Sequence, residues 1–180
     1  MNGFATITLV QRLRKVTYYS LTLDDQEESL FDQFIDKHAS ENKDKLHHIM
    51  TWVNLIGEKY GAREDYFRNE AETADASALP PKGIDREPAY IEYNERTHED
   101  ENKANDLRLY CLRASDYVVF LFNGDIKTEA KAQDCNNVMP HFRLANILTK
   151  SIDRAFIGRD IIWNTDQSDI LFDEGFELNW

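Results

Sequence analysis

The sequence has few cysteines, no long apolar run and no excess of positive charge, and each lack excludes a class of protein. Its two cysteines, Cys111 and Cys135, cannot build a disulfide framework and have no zinc-ligand spacing. The longest apolar run, 117–122, is far too short to span a membrane. The N-terminus lacks the cleavage-site pattern of a secretory signal. We therefore expect a soluble, cytoplasmic protein that needs no metal or other cofactor.

Charge is distributed unevenly along the chain. The 180 residues include 21 Lys and Arg against 33 Asp and Glu, which gives a formal net charge of −12. Residues 104–159 carry eight basic and six acidic side chains, whereas residues 160–180 carry six acidic and no basic ones. A chain this acidic is not typical of nucleic-acid-binding proteins, which must neutralise phosphates. The acids indicate either solvated faces that keep the protein soluble or a tail that lies against a cationic surface.

Hydrophobic periodicity predicts an α+β fold. Residues 6–22 are rich in Thr, Val, Tyr and Leu and predict one or two strands. Apolar residues at helical spacing then predict two helices joined by a short loop, the first capped by Asp24 or Asp25 and the second ending at Gly61. Residues 71–106 contain three of the four prolines. They predict surface loops around one isolated strand at 90–93.

The strongest local pattern is a pair of β-rich runs, LRLYCLR at 107–113 and YVVFLFNGDI at 117–126. Their three-residue separation predicts a β-hairpin. The second run is apolar on both faces, so we expect a central strand, with a bulge or bend at 123–125. Pro140 then begins a long helix that ends at Gly158. Short strand candidates follow at 160–163, 170–172 and 176–180, within an acidic C-terminal tail, 160–180.

No sequence motif for catalysis is present, since the chain has no phosphate-binding glycine loop and no nucleophile elbow. The hairpin does contain a group of cationic side chains beside a tyrosine. Arg108 and Tyr110 share one strand face because side chains alternate along a strand. Lys127 and Lys131 follow the second strand. Such a group suits metal-independent phosphodiester cleavage by a 2′-hydroxyl, in which cations stabilise the phosphorane, but ordinary strand-edge charges have the same pattern.

The two runs and the Lys127-Thr128 pair that follows them resemble the core of the RelE/HigB-like toxins, the toxin halves of bacterial toxin–antitoxin pairs. In that family, a strand with an Arg near its start precedes an apolar strand that ends in a small-residue kink and a Lys. The resemblance implies a RelE-like domain over residues 1–159, with an N-terminal helical hairpin and an antiparallel sheet on which a late helix packs. This chain adds N-terminal and C-terminal strand segments to that arrangement.

The resemblance implies an mRNA-cleaving, metal-independent endoribonuclease that an antitoxin protein silences and that acts on ribosome-bound mRNA. Arg108 and Lys127 match positions that tend to be functional in the family, and Tyr110 and Lys131 are their neighbours. Two alternatives stay open. One is a non-enzymatic interaction domain of phage or mobile-element origin on the same fold. The other is a gyrase-directed toxin of the ParE type.

Two further hypotheses rest on charge and position alone. His141 and Arg143, at the start of the late helix, are additional candidates for the site. The acidic tail, 160–180, is a candidate for an internal antitoxin mimic that covers the cationic face of the hairpin.

Overall fold

The chain begins with two strands of the main sheet. The computed structural model describes residues 3–180 and begins with an antiparallel hairpin of β1 (Phe4–Arg12) and β2 (Thr17–Leu23). Two helices follow, α1 (Leu30–Glu41) and α2 (Lys43–Leu55). The predicted helical pair therefore exists, but the RelE-like order with that pair at the N-terminus is not confirmed, since strands precede it.

Within residues 3–180, the structure has three α-helices and a mostly antiparallel main sheet. The later elements, in chain order, are β3 (Ser77–Leu79), β4 (Tyr90–Asn94), β5 (Glu99–Lys103), β6 (Leu109–Arg113), β7 (Val118–Leu121), α3 (Met139–Ile157), β8 (Ile161–Trp163), β9 (Ile170–Phe172) and β10 (Glu177–Asn179). The main sheet has the order β10-β1-β2-β7-β6-β3. Strands β2 and β7 are parallel, a pairing that needs a long crossover connection, and residues 24–117, which contain α1, α2 and strands β3 to β6, provide it.

Strand β7 is the centre of the molecule, as the sequence predicted. Its four side chains are buried on both faces. Val119 and Leu121 pack with α1 and α2 on one side of the sheet, and Val118 and Phe120 pack with α3 on the other. A strand covered by helices on both faces must be apolar at every position, which is why the run 117–122 shows no alternation.

The helix ends agree with the sequence only in part. Helix α1 begins later than predicted, because the hydroxyl of Ser29, not Asp24 or Asp25, accepts the capping hydrogen bond from the Asp32 backbone N–H (3.1 Å). The second helix continues through one π turn and ends at Gly61, as predicted, where φ is +79°. Glycine adopts this left-handed conformation without strain.

Two predictions for residues 71–106 are wrong. The strand at 90–93 is not isolated, because β4 pairs with β5 in a separate two-stranded sheet that we call the acidic ribbon. Its second strand has the sequence EDENK, whose low β-propensity and high charge hid it from the pattern. Strand β3 was also missed, since three residues are too few to show a period.

The last 21 residues pack on the main sheet. Strands β8 and β9 form a hairpin, and β10 pairs with β1 as an edge strand. Asp169, in the β8–β9 hairpin, accepts hydrogen bonds from the Tyr19 hydroxyl (2.6 Å) and from Arg12 Nε (3.1 Å). Within residues 3–180, no helix has both the length and the apolar composition that crossing a bilayer requires.

Candidate functional site

The β6–β7 hairpin continues past its regular strands through an irregular stretch. Cys111 pairs with Leu121, and Leu107 pairs with Ile126. Four positions along the first strand therefore match five along the second, so the second strand contains one extra residue. This is the bulge that the sequence predicted. It brings the backbone N–H of Lys127 to the carbonyl of Asp106 (2.8 Å), close to the start of β6.

Gly124 is the residue that allows the bulge to close against β6. A Cβ at position 124 would lie 1.7 Å from the carbonyl oxygen of Arg108 and 2.8 Å from its carbonyl carbon. Both contacts are with backbone, which cannot rotate away as a side chain can. Only glycine therefore fits this position without separating the two strands.

Arg108 and Lys127 converge on one carboxylate. Arg108 Nε donates to Oε1 of Glu70 (2.8 Å), and Lys127 Nζ donates to Oε2 of the same residue. Arg108 Nη1 also donates to the carbonyl of Asn105 (2.6 Å). The side chains of Arg108, Lys127 and Glu70 are only 11%, 12% and 4% exposed. The two cations selected from the sequence are thus brought together, but an internal acid holds them.

Arg68 and Tyr110 complete this group, which we call the Glu70 cluster (Arg68, Glu70, Arg108, Tyr110 and Lys127). Ala78 faces Arg68 on one side and Tyr110 on the other, so the three side chains form a row on one face of the sheet. Tyr110 is fully buried, with its ring centroid 5.7 Å from that of Phe142. Arg68 Nε and the Tyr110 hydroxyl are buried and have no hydrogen-bond partner among residues 3–180.

The pKa values in the cluster follow from burial and neighbouring charge. Burial, with Arg108 nearby, lowers the pKa of Arg68 to about 10. Burial would raise the pKa of Glu70, but the hydrogen bond from Lys127 and the charge of Arg108 outweigh it, so this pKa lies below its usual value. Burial and the Glu70 charge raise the pKa of Tyr110. At neutral pH the cluster therefore contains a carboxylate, a neutral phenol and a charged Arg68.

The other candidates from the sequence lie outside this cluster. Lys131 is exposed, at the start of a short 3₁₀ turn. His141, on α3, faces a different group that includes Asp125 and His38, and burial lowers its pKa. Arg143 is exposed on α3. The tail 160–180 does not supply the acid that covers Arg108 and Lys127, because Glu70 does so.

Cys135 lies among polar residues in the sequence, which predicts an exposed loop. The structure buries it fully, and the backbone N–H of Thr128 approaches its Sγ at 3.4 Å. Burial would raise its pKa, but hydrogen bonds from the side chain and backbone of Thr128 and from neighbouring backbone groups lower it to about 7. Cys111, in the middle of β6, is a buried core thiol.

The sequence did not reveal Glu70 or Arg68 as members of the site. Both fall in the segment 63–70, whose sequence favours a short helix, but the structure has only a 3₁₀ turn there, Glu64–Tyr66. Beyond that turn Arg68 pairs with Ala78 in an isolated bridge, and Glu70 follows two positions later, at a bend. The sequence feature that could have identified them is a pair of opposite charges two residues apart, next to turn-forming residues.

The cluster is chemically suited to binding an oxyanion. Its arginine, lysine and tyrosine side chains are hydrogen-bond donors, and the guanidinium groups match the planar geometry of carboxylate and phosphate. Glu70 is the acceptor that Arg108 and Lys127 share. No family model, no curated protein and no solved structure matches this chain. The geometry of the cluster and the resemblance of its hairpin therefore carry the functional proposal.

Proposed function

We propose that this chain is a toxin-type protein of a toxin–antitoxin pair, which binds RNA at the Glu70 cluster and cleaves it without a metal. One observation carries the proposal. Arg108 and Lys127, which the RelE/HigB-like pattern selects from the sequence, meet at a single carboxylate beside Tyr110. Two convergent cations are what a phosphodiester needs as its negative charge grows in the phosphorane.

Each side chain has a defined role in this proposal. Arg108 and Lys127 bind the non-bridging phosphate oxygens and stabilise their charge as the 2′-oxygen attacks. Tyr110, whose pKa is raised, keeps its proton and donates it to the departing 5′-oxygen. Glu70 is too weak a base to accept the 2′-hydroxyl proton efficiently while both cations lower its pKa. We therefore expect slow cleavage as long as Glu70 stays in place.

The test is controlled expression in a bacterial host, with growth and mRNA 5′ ends measured together. We expect growth arrest and new 5′ ends for the natural chain, and loss of both in the Arg108→Ala/Lys127→Ala variant. The matched control is Arg14→Ala/Lys43→Ala, which removes the same charges from exposed positions outside the cluster. Circular dichroism of each purified variant establishes that it is folded.

Each alternative outcome has a definite meaning. Arrest without new 5′ ends contradicts the ribonuclease and favours a gyrase-directed toxin. Normal growth with intact mRNA contradicts the toxin. Equal loss of toxicity in both double variants means that overall charge, rather than the cluster, is responsible.

A second candidate, a non-enzymatic interaction domain, is favoured by the acidic ribbon. The base of the ribbon is anchored on α2, where Trp52 Nε1 donates to the carbonyl of Pro88 (3.0 Å). On its outer face, Ile91 and Tyr93 are 53% and 58% exposed. Asn102 and Asp100 lie opposite them on the same face. An isolated two-stranded ribbon is only marginally stable in water, and its apolar centre with an acidic margin fits a cationic protein surface.

The Ile91→Ser/Tyr93→Ser variant tests this second function. We expect its affinity for a partner recovered from the host to fall about tenfold or more, because central apolar and aromatic contacts dominate interface energies. Quantitative pull-down with mass spectrometry measures the loss. The control is Ile157→Ser, at an 83% exposed site on α3. If the natural chain and both variants recovered equal amounts of the partner, the acidic ribbon would not be the interface.

A further inference from the structure

The Glu70 cluster has more hydrogen-bond donors than its carboxylate satisfies in this arrangement. Each oxygen of Glu70 accepts one hydrogen bond, from Arg108 and from Lys127 respectively, and neither oxygen is bonded to Arg68 Nε or to the Tyr110 hydroxyl. Arg68 Nε and the Tyr110 hydroxyl remain buried without an acceptor. Buried donors are nearly always satisfied in folded proteins, because an unpaired one costs about 1–3 kcal/mol. The cluster is therefore better matched to an acceptor with more oxygens than a carboxylate has.

The charges of the cluster point to the same kind of acceptor. Arg68, Arg108 and Lys127 supply three cations, and Glu70 supplies one anion. Their side chains lie near one another on the sheet face that Tyr110 shares. An excess of positive charge in a largely covered site is unfavourable unless a further anion enters. A phosphate group brings both the additional charge and the additional oxygens.

We propose that Glu70 occupies a phosphate-binding subsite as an internal anion and that the phosphate group of a ligand displaces it. The two carboxylate oxygens stand where two phosphate oxygens bind, and the remaining phosphate oxygens accept from Arg68 and Tyr110. This inference rests on the proposed function and specifies how the same site is regulated. Glu70, rather than the tail 160–180, keeps the site closed until substrate arrives.

The position of Glu70 in the chain allows this exchange. It lies in the connection between Arg68 and β3, which consists of turns and bends. The far end of that connection is fixed to α3, where the side-chain oxygen of Asn146 accepts from the backbone N–H groups of Asp75 and Ala76 (2.8 and 2.9 Å). Within residues 3–180, the backbone of Glu70 makes no hydrogen bond to the sheet, so its displacement leaves the pairing of Arg68 with Ala78 and of β3 with β6 intact. Once displaced, Glu70 no longer has the hydrogen bond from Lys127 or the nearby charge of Arg108, the two interactions that lower its pKa.

Calorimetric titration of the purified protein with inorganic phosphate, at constant ionic strength, tests the displacement. Glu70→Gln keeps the shape of the side chain and removes its charge, so we expect it to bind phosphate about tenfold tighter than the natural protein does. Glu72→Gln is the matched control, because it removes an exposed charge two residues away. We expect its affinity to equal that of the natural protein. Equal affinity of all three, or no binding by Glu70→Gln, would overturn the proposal.

A second variant keeps the test decisive if Glu70→Gln fails to fold. Tyr110→Phe removes one unsatisfied donor and little else, so the thermal stabilisation of the protein by phosphate should fall several-fold. An unchanged shift in melting temperature would contradict the subsite.

Parallel titration with a short RNA distinguishes the source of the phosphate. Tighter binding of RNA than of inorganic phosphate identifies a polynucleotide ligand, and equal binding identifies a free phosphate.

The inference and the proposed function can fail separately. Phosphate binding that Glu70→Gln strengthens, without RNA cleavage in cells, supports the subsite and contradicts the ribonuclease. Cleavage in cells that Arg108→Ala/Lys127→Ala abolishes but Glu70→Gln leaves unchanged supports the ribonuclease and contradicts the internal anion.

Discussion

Gly124→Ala should lower the free energy of unfolding by about 3 kcal/mol, the upper end of the usual cost of overpacking. The added Cβ would lie 1.7 Å from the carbonyl oxygen of Arg108 and 3.2 Å from Cα of Leu109. To relieve this overlap, the bulge must move away from β6. That movement breaks the hydrogen bonds from Arg108 N to Asp125 O (3.0 Å) and from Tyr110 N to Asn123 O (3.1 Å). Urea denaturation followed by tryptophan fluorescence measures the loss.

Gly158→Ala is the control for this substitution. Gly158 follows α3 with a helical φ of −75°, and a Cβ there would meet its nearest atom, the carbonyl oxygen of Arg154, at 3.3 Å. We expect a change of less than about 1 kcal/mol. Equal losses at both glycines would mean that the bulge is not packed against β6 as the structure has it.

Phe120→Ala should cost about 3–5 kcal/mol of folding free energy, as is usual for a fully buried phenylalanine. Phe120 is 0% exposed, on the α3 side of β7. Its ring centroid lies 5.7 Å from that of Tyr19 on the neighbouring strand. Truncation therefore leaves a cavity where the two halves of the sheet meet, and β7 cannot shift to fill it because it is paired on both sides.

The control for Phe120→Ala is Tyr117→Ala, in the turn of the same hairpin, where the side chain is 47% exposed. Chemical denaturation of both variants should show a loss at position 117 of less than about 1 kcal/mol. A similarly small loss at position 120 would be inconsistent with α3 packing on this face of the sheet.

The sequence predicts those parts of the fold in which each element is defined by its own residues. The apolar run 117–122 specifies a strand that is covered on both faces. Pro140 and Gly158 bound α3 because proline favours the first turn of a helix and glycine its end. Strands β8, β9 and β10 also fall where short β-rich runs predict them. In these segments, local preference and tertiary structure agree.

The parts that the sequence does not predict depend on contacts between distant segments. Strand β5 is highly charged and exists because β4 pairs with it. The burial of Cys135 results from packing that its polar neighbours do not reveal. In the Glu70 cluster, Arg108 and Lys127 follow from the hairpin pattern. Glu70 lies 38 and 57 residues from them along the chain, a separation over which no periodicity operates.

The placement of β10 has a consequence for the order in which the protein folds during synthesis. Strand β1 lies between β2 and β10, and the backbones of Gly3 and Trp180 hydrogen-bond in both directions (3.1 Å each). One edge of β1 therefore stays open until residues 177–180 have left the ribosome, long after β2 has paired with the other edge. An open edge on the strand FATITLVQR is a template for pairing between nascent chains. The yield of folded protein should accordingly depend on translation speed and chaperone supply as well as on equilibrium stability.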